Sequence, residues 1–336
     1  MDVNSIKTWL SQNKVCFVTN SSAMPSTLLI SSLKTYIEYI PIQNFWLIPG
    51  IRNNEPFYGF QAFLMMLQYM LSNNHFDYVI YIDEDCFIND FEALIDEFKI
   101  FAAKDYCIAG PQDGGVICHR NHSKYMINTF LSFWNIKLLR EKNVTFDKIL
   151  MYINDKVKNH NDDMFANFLD ELRTNTRLFT VFNESANINI NSITSYRQGH
   201  NNEEVPYCKV VRNDVNNPVE RNQTPYSNDD NMAQKNFEQY YIIEQALIML
   251  TCCPIYYMFA TDLCDDDFIK KDVKFDISGL TSAVYMRIPY DPMFNEHKLI
   301  AVHTWYSRAY TKWPTTPLQL EQTKRINTII KEFSRI

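Results

Sequence analysis

Tyr78-Val-Ile-Tyr-Ile-Asp83-Glu84-Asp85-Cys-Phe-Ile88 decides how this chain is read. Its first five residues are all aromatic or β-branched, and such a run bounded by polar residues reads as a strand buried on both faces of a mostly parallel sheet. Open α/β sheets bind ligands beyond the carboxyl ends of their strands, and this end presents three carboxylates. Strand alternation predicts that Asp83 and Asp85 lean to one side and Glu84 to the other. Two converging carboxylates make a hard oxygen site that suits Mg²⁺ or Mn²⁺ together with the phosphate oxygens of a substrate. An acidic turn or a helix cap accounts for the same three letters, so the surrounding chain has to decide.

Upstream, Val15 to Thr19 reads as a first strand whose exit, Thr19-Asn20-Ser21-Ser22, offers side-chain donors and acceptors; Pro25 suits the first turn of the next helix. Asn44 to Ile48 reads as a second strand. A polar loop over 49–56 carries Arg52, which reads either as a phosphate or base contact or as an ordinary exposed arginine, and Phe57 to Leu71 has the pattern of a core helix. Downstream, Asn89 is placed to cap a helix through about Ala103. A strand from Tyr106 to Gly110 then leads into a turn where Gly110, Gly114 and Gly115, three of only seven glycines, fall together. Glycine serves where a backbone needs positive φ or must approach a ligand closely.

Helices are expected at 121–140, at 146–156 and from Met164 to Leu172, the last opened by Asn161-Asp162-Asp163. Acidic residues at a helix start complement its dipole. Residues 183–231 turn polar and lose periodicity, as a lid or an irregular insert does. A helix at about 232–252 follows, carrying Glu244 on an apolar background, and Pro254 separates it from a strand at Ile255 to Ala260. Buried carboxylates serve acid–base chemistry or structural pairing, which makes Glu244 a catalytic candidate. Leu299 to Arg308 reads as a strand delivering His303, Trp305 and Arg308.

The alternation of strands and helices argues for right-handed βαβ units. At 336 residues the chain is long enough to bury a substantial core. A net charge of −7 without runs of Lys or Arg argues against nucleic acid as a partner. The eight cysteines are scattered without a Cys-x-x-Cys pair, as buried thiols of a reduced compartment are. The first residues lack the basic and apolar regions of a signal peptide, so a cytoplasmic location is expected. Tyr240 to Ala260 is long and apolar enough to suggest a membrane span, but Glu244, Gln245 and Pro254 favour core helix and strand. The final helix, from about Thr316, carries Lys324, Arg325, Lys331 and Arg335; a solvated face is the first reading, and peripheral contact with an anionic membrane is the second.

A strand ending in Ile-Asp-Glu-Asp, then a helix, a further strand and the turn Gly-Pro-Gln-Asp-Gly-Gly-Val-Ile resembles the nucleotide-sugar glycosyltransferases of the GT-A fold. The resemblance covers about residues 14–172 and the segment around His303, and Asp83 and Asp85 match the two ends of that family's DxD signature. It implies a GT-A type, Rossmann-like, mostly parallel sheet flanked by helices. A donor-binding core would span 1–182, an irregular insert or lid 183–231, and extra C-terminal elements at 232–336 would complete the catalytic domain on the acceptor side. It implies Mn²⁺ or Mg²⁺ held by Asp83 and Asp85, with His303 at the position where several such enzymes place a histidine on the metal; imidazole suits Mn²⁺ better. Thr19, Asn20, Ser21, Arg52, Glu84, Gly114, Gly115 and Arg308 would then line the nucleotide-diphosphate sugar, and Asp162 and Asp163 would join Glu244 as catalytic candidates. The implied function is transfer of a sugar to the hydroxyl of a glycan or lipid-linked acceptor, with inversion or retention both open. Two rivals stand beside it. A nucleotidyltransferase uses a related acidic site but usually has a glycine-rich basic loop after its first strand, which Thr19-Asn20-Ser21-Ser22 is not; a carbohydrate-binding protein would engage sugar without turnover.

Overall fold

The computed structural model describes residues 2–21, 26–49, 51–52, 55–56, 59–111, 127, 129–157, 243–244, 246–262, 281–286, 298–304 and 317–333. The Asp2 side chain accepts the Ser5 amide and starts α1 (Val3–Gln12), which buries Ile6 and Leu10. There follow β1 (Val15–Ser21), α2 (Ser26–Lys34), β2 (Phe45–Pro49), a small ladder of β3 (Ile51–Arg52) and β4 (Glu55–Pro56), α3 (Gly59–Ser72), β5 (Tyr78–Ile82) and β6 (Cys86–Ile88). Next come α4 (Phe91–Ala102), β7 (Ile108–Pro111), β8 (Leu131–Asn135), α5 (Ile136–Glu141) and α6 (Phe146–Val157). The later chain gives helical residues at 243–244 and 246–251, β9 (Ile255–Asp262), β10 (Thr281–Met286), β11 (Lys298–Thr304) and α7 (Pro317–Phe333).

Six strands lie in the order β2-β1-β5-β8-β7-β9, and all but β8 run the same way. The protein is therefore α/β, with a mostly parallel six-strand sheet flanked by helices. Strand alternation feeds two cores. Cys16, Val18, Val79 and Tyr81 face α3, α5 and α6 through Phe63, Leu67, Leu139 and Ile149. Val15, Phe17, Ile80 and Ile82 face α1 and α4 through Leu10, Leu94 and Phe98. Each aliphatic or Phe side chain among them, fully buried, contributes about 1.5–3 kcal/mol relative to exposure, which is why Val15 to Val18 and Val79 to Ile82 are apolar on both faces; β1 turns polar only at its exit, Thr19 to Ser21.

β9 changes partner along its length. Residues Ile255 to Met258 pair in parallel with β7, and Phe259 to Asp262 pair antiparallel with β10. From there β10, β11 and β6 extend the sheet in antiparallel fashion. The C-terminal strands thus return to the acidic segment, since β6 begins immediately after Asp85. α7 packs against α2, and Phe333 meets Phe87 of β6 at 5.3 Å between ring centroids.

Several sequence expectations need correction. The helix expected at 121–140 contains β8, antiparallel between β5 and β7, and the helix proper begins at Ile136. Leu131-Ser-Phe-Trp-Asn135 is buried at every position, and a short apolar run of that kind has no periodicity to separate strand from helix. Asn135 also caps α5 by accepting the Leu138 amide, so strand and helix meet without a loop. The cap of α4 is Asp90, which accepts from the Ala93 amide; the Asn89 side chain instead donates to the Leu299 carbonyl of β11. Asp83 and Asp85 are not on a strand, as described below. The expected insert at 183–231 and the helix at 164–172 lie outside the described residues.

Candidate metal centre

β5 ends at Ile82, and the chain turns at once. The Asp83 amide donates to the carbonyl of Phe130, which precedes β8, and the Cys86 amide donates back to the Asp83 carbonyl at 3.0 Å. Asp83 to Cys86 is thus a tight turn opened by an aspartate, a residue favoured there. Asp83 and Asp85 come together through this turn and not through strand alternation. Asp83 is half-buried, whereas Glu84 and Asp85 are buried.

β11 supplies the third group. His303 pairs in register with Cys86, and its buried ring places Nε2 3.1 Å from Oδ1 of Asp85. The Thr304 amide and hydroxyl both donate to the Asp85 carbonyl, at 3.1 and 3.2 Å. Buried Ser32 donates its hydroxyl to the Cys86 carbonyl at 2.6 Å, tying the turn to α2. The Tyr81 hydroxyl donates to Oδ1 of Asp83 at 2.7 Å, and the ring of Phe130 stacks on His303 at 4.3 Å with only 3° between planes.

One ligand atom from each of Asp83, Asp85 and His303 lies within 4.8 Å of the others. Oxygen and nitrogen ligands about 2.1 Å from a common ion stand at most about 4.2 Å apart, so a small closure seats a divalent cation among them. The two carboxylates would offset its charge, and the imidazole would add a nitrogen donor. The imidazole nitrogen is a donor that Mn²⁺ takes more readily than Mg²⁺ does. The residues present therefore fit such an ion.

The other sequence candidates fall into four groups. Val18 pairs with Tyr81, so Thr19 and Asn20 at the exit of β1 are level with the exit of β5; both are buried, and Asn20 Oδ1 has no hydrogen-bond partner among the described residues. Glu244 is buried and accepts the Ile127 amide at 2.9 Å, three residues before Phe130. Ser21 closes β1 opposite Pro49, and Arg52 pairs with Glu55 in the small ladder; their backbones alone are described. Gly114, Gly115, Asp162, Asp163 and Arg308 lie outside the described residues. Sequence reading missed Tyr81, Phe130 and Thr304. Tyr81 was open to it, being two positions before Asp83 at the end of the same apolar run, whereas nothing local marks Phe130 or Thr304.

No family model matches the chain, and no curated protein matches it. Among solved structures it is similar to A197 from STIV, known from a crystal structure, at 15% identity and a TM-score of 0.27, over 38% of this chain and 68% of that one. Among the described residues no helix is long and apolar enough to cross a membrane.

Proposed function

We propose that this chain is a metal-dependent glycosyltransferase of GT-A type, moving a sugar from a nucleotide-diphosphate sugar to an acceptor hydroxyl in glycan synthesis. The observation that supports this most is the convergence of Asp83, Asp85 and His303 at the carboxyl end of β5 in a mostly parallel sheet, where α/β sheets bind their ligands. Bound there, Mn²⁺ or Mg²⁺ would offset the negative charge that grows on a departing nucleoside diphosphate. Asp83 and Asp85 are the carboxylate ligands, and His303 adds a neutral nitrogen. Thr19 and Asn20 flank the nucleoside from the exit of β1, and Ser21, Arg52, Glu84, Gly114, Gly115 and Arg308 are the further donor-side candidates.

A general base must reach the acceptor hydroxyl. Glu244 is bonded to the Ile127 amide, which favours a role in anchoring the chain that leads to Phe130. Asp162 and Asp163 are therefore the first choice for the base, or for orienting the sugar. The acceptor is a glycan or a lipid-linked glycan met from a cytoplasmic location.

The test is to incubate the protein with UDP-, GDP- and TDP-sugars, with Mn²⁺ or with a chelator, and to measure free nucleoside diphosphate. Release from one donor class that needs the metal and is lost in Asp83→Asn supports the proposal. Absence of release from every donor, with and without candidate acceptors, in a folded sample counts against it.

A further inference from the structure

Phe130 touches both halves of the candidate centre. Its carbonyl accepts the Asp83 amide at 2.8 Å, fixing the start of the acidic turn. Its ring lies 4.3 Å from the His303 ring and parallel to it within 3°, covering one face of the imidazole and leaving the nitrogen-bearing edge directed at Asp85. Both rings are buried. Phe130 precedes β8, whose first residue, Leu131, pairs with Ile82 of β5, so its position is set by the sheet. Upstream, Ile127 is held by Glu244.

From this geometry we infer that Phe130 is a positioning residue that holds His303 and the Asp83 turn in the arrangement a divalent cation needs. The inference rests on the metal reading of Asp83, Asp85 and His303 given above. An imidazole with a free ring torsion samples orientations that do not direct Nε2 to the ion, and metal sites draw affinity from neighbours that remove this freedom. A parallel stack restricts the ring to rotation within its own plane, which keeps its edge in the plane of the site. Replacing the ring by an alkyl side chain removes the stack but preserves the backbone carbonyl and most of the buried volume.

The experiment measures Mn²⁺ affinity by calorimetry, and nitrogen coupling to bound Mn²⁺ by pulsed electron paramagnetic resonance. The proteins are wild type, Phe130→Leu, His303→Asn and the double variant, each checked for folding by thermal melt. The expected result is Mn²⁺ binding about tenfold weaker in Phe130→Leu, with a weakened nitrogen signal and little further loss when Phe130→Leu is added to His303→Asn. Such non-additivity marks residues acting through one another, and a merely structural role would not produce it. Equal losses in both backgrounds, or wild-type affinity and signal in Phe130→Leu, overturn the inference while leaving the metal reading standing. Failure of wild type to bind Mn²⁺ overturns the metal reading itself and the inference with it. If Phe130→Leu does not fold, Phe130→Met carries the same comparison.

Discussion

Oδ1 of Asp85 and Nε2 of His303 stand 3.1 Å apart across 218 positions of sequence. Antiparallel pairing of β6 with β11 brings them together, and the two hydrogen bonds from Thr304 to the Asp85 carbonyl lock the register. The acidic turn is therefore complete as a three-ligand group only once the C-terminal strands have joined the sheet.

Removing the imidazole should separate its role from that of the carboxylates. His303→Asn should weaken Mn²⁺ binding on the order of tenfold or more while changing Mg²⁺ binding less, because nitrogen donors favour Mn²⁺. Asp85→Asn should weaken both ions. Calorimetric titration with each metal checks the contrast.

At the opposite end of β5, Arg140 forms a clamp. Its guanidinium donates to the carbonyls of Met70, Asn73 and Phe76 and pairs with Asp77, immediately before the strand begins. Arg140→Met should cost about 2–3 kcal/mol, since several partly buried acceptors lose a charged donor. Urea unfolding should show that loss, with Mn²⁺ affinity unchanged in the folded variant.

Glu244 is expected to behave as an anchor. Glu244→Gln keeps an acceptor for the Ile127 amide and should preserve stability, whereas Glu244→Ala should cost about 1–3 kcal/mol by leaving a buried amide without its partner. Thermal and urea melts of both variants give the comparison, and loss of the proposed nucleoside diphosphate release in Glu244→Gln at normal stability would reassign the residue to catalysis.

Burial pushes the thiols of Cys16 and Cys107 up to about 12 from an ordinary value of 9.0. A raised pKa in the folded state means that the unfolded chain ionises first. The thiol contribution to stability is thus complete below pH 9 and is lost as pH climbs from about 9 towards 12. Equilibrium unfolding between pH 8 and 11 should show this decline, and Cys16→Ala with Cys107→Ala should flatten it. Cys252, exposed at the end of its helix, should label with a thiol reagent in the native state while Cys16, Cys86, Cys107 and Cys253 do not.

Much of the central sheet was legible because its strands are short apolar runs with polar ends. Val15 to Thr19 and Tyr78 to Ile82 declared themselves in this way, and the strand carrying His303 did so through Leu299-Ile-Ala-Val. β8 was hidden because five buried residues followed directly by a capped helix carry no period of their own. β6 was hidden too: Cys86 to Ile88 is three residues long, and its partner lies in the distant β11. The candidate metal group was visible as residue types, but the reason Asp83, Asp85 and His303 converge was not. Asp83 and Asp85 meet through a turn fixed by the Phe130 carbonyl, a contact that exists only once β5 and β8 are paired.

If Asp83, Asp85 and His303 hold a cation through which a nucleotide binds, the folded protein should be stabilised by that nucleotide only when the metal is present. The most direct test is thermal shift with UDP, GDP, CMP and TDP, each with and without Mn²⁺, on wild type and on Asp83→Asn/Asp85→Asn. Ligand that binds only the folded state raises the melting temperature in proportion to RT ln(1 + [L]/Kd). The expected result is a rise with one nucleotide that requires Mn²⁺ and disappears in the double variant; a folded wild type unmoved by every nucleotide and metal combination, or a rise that survives the double substitution, would overturn the cation-bridged nucleotide site.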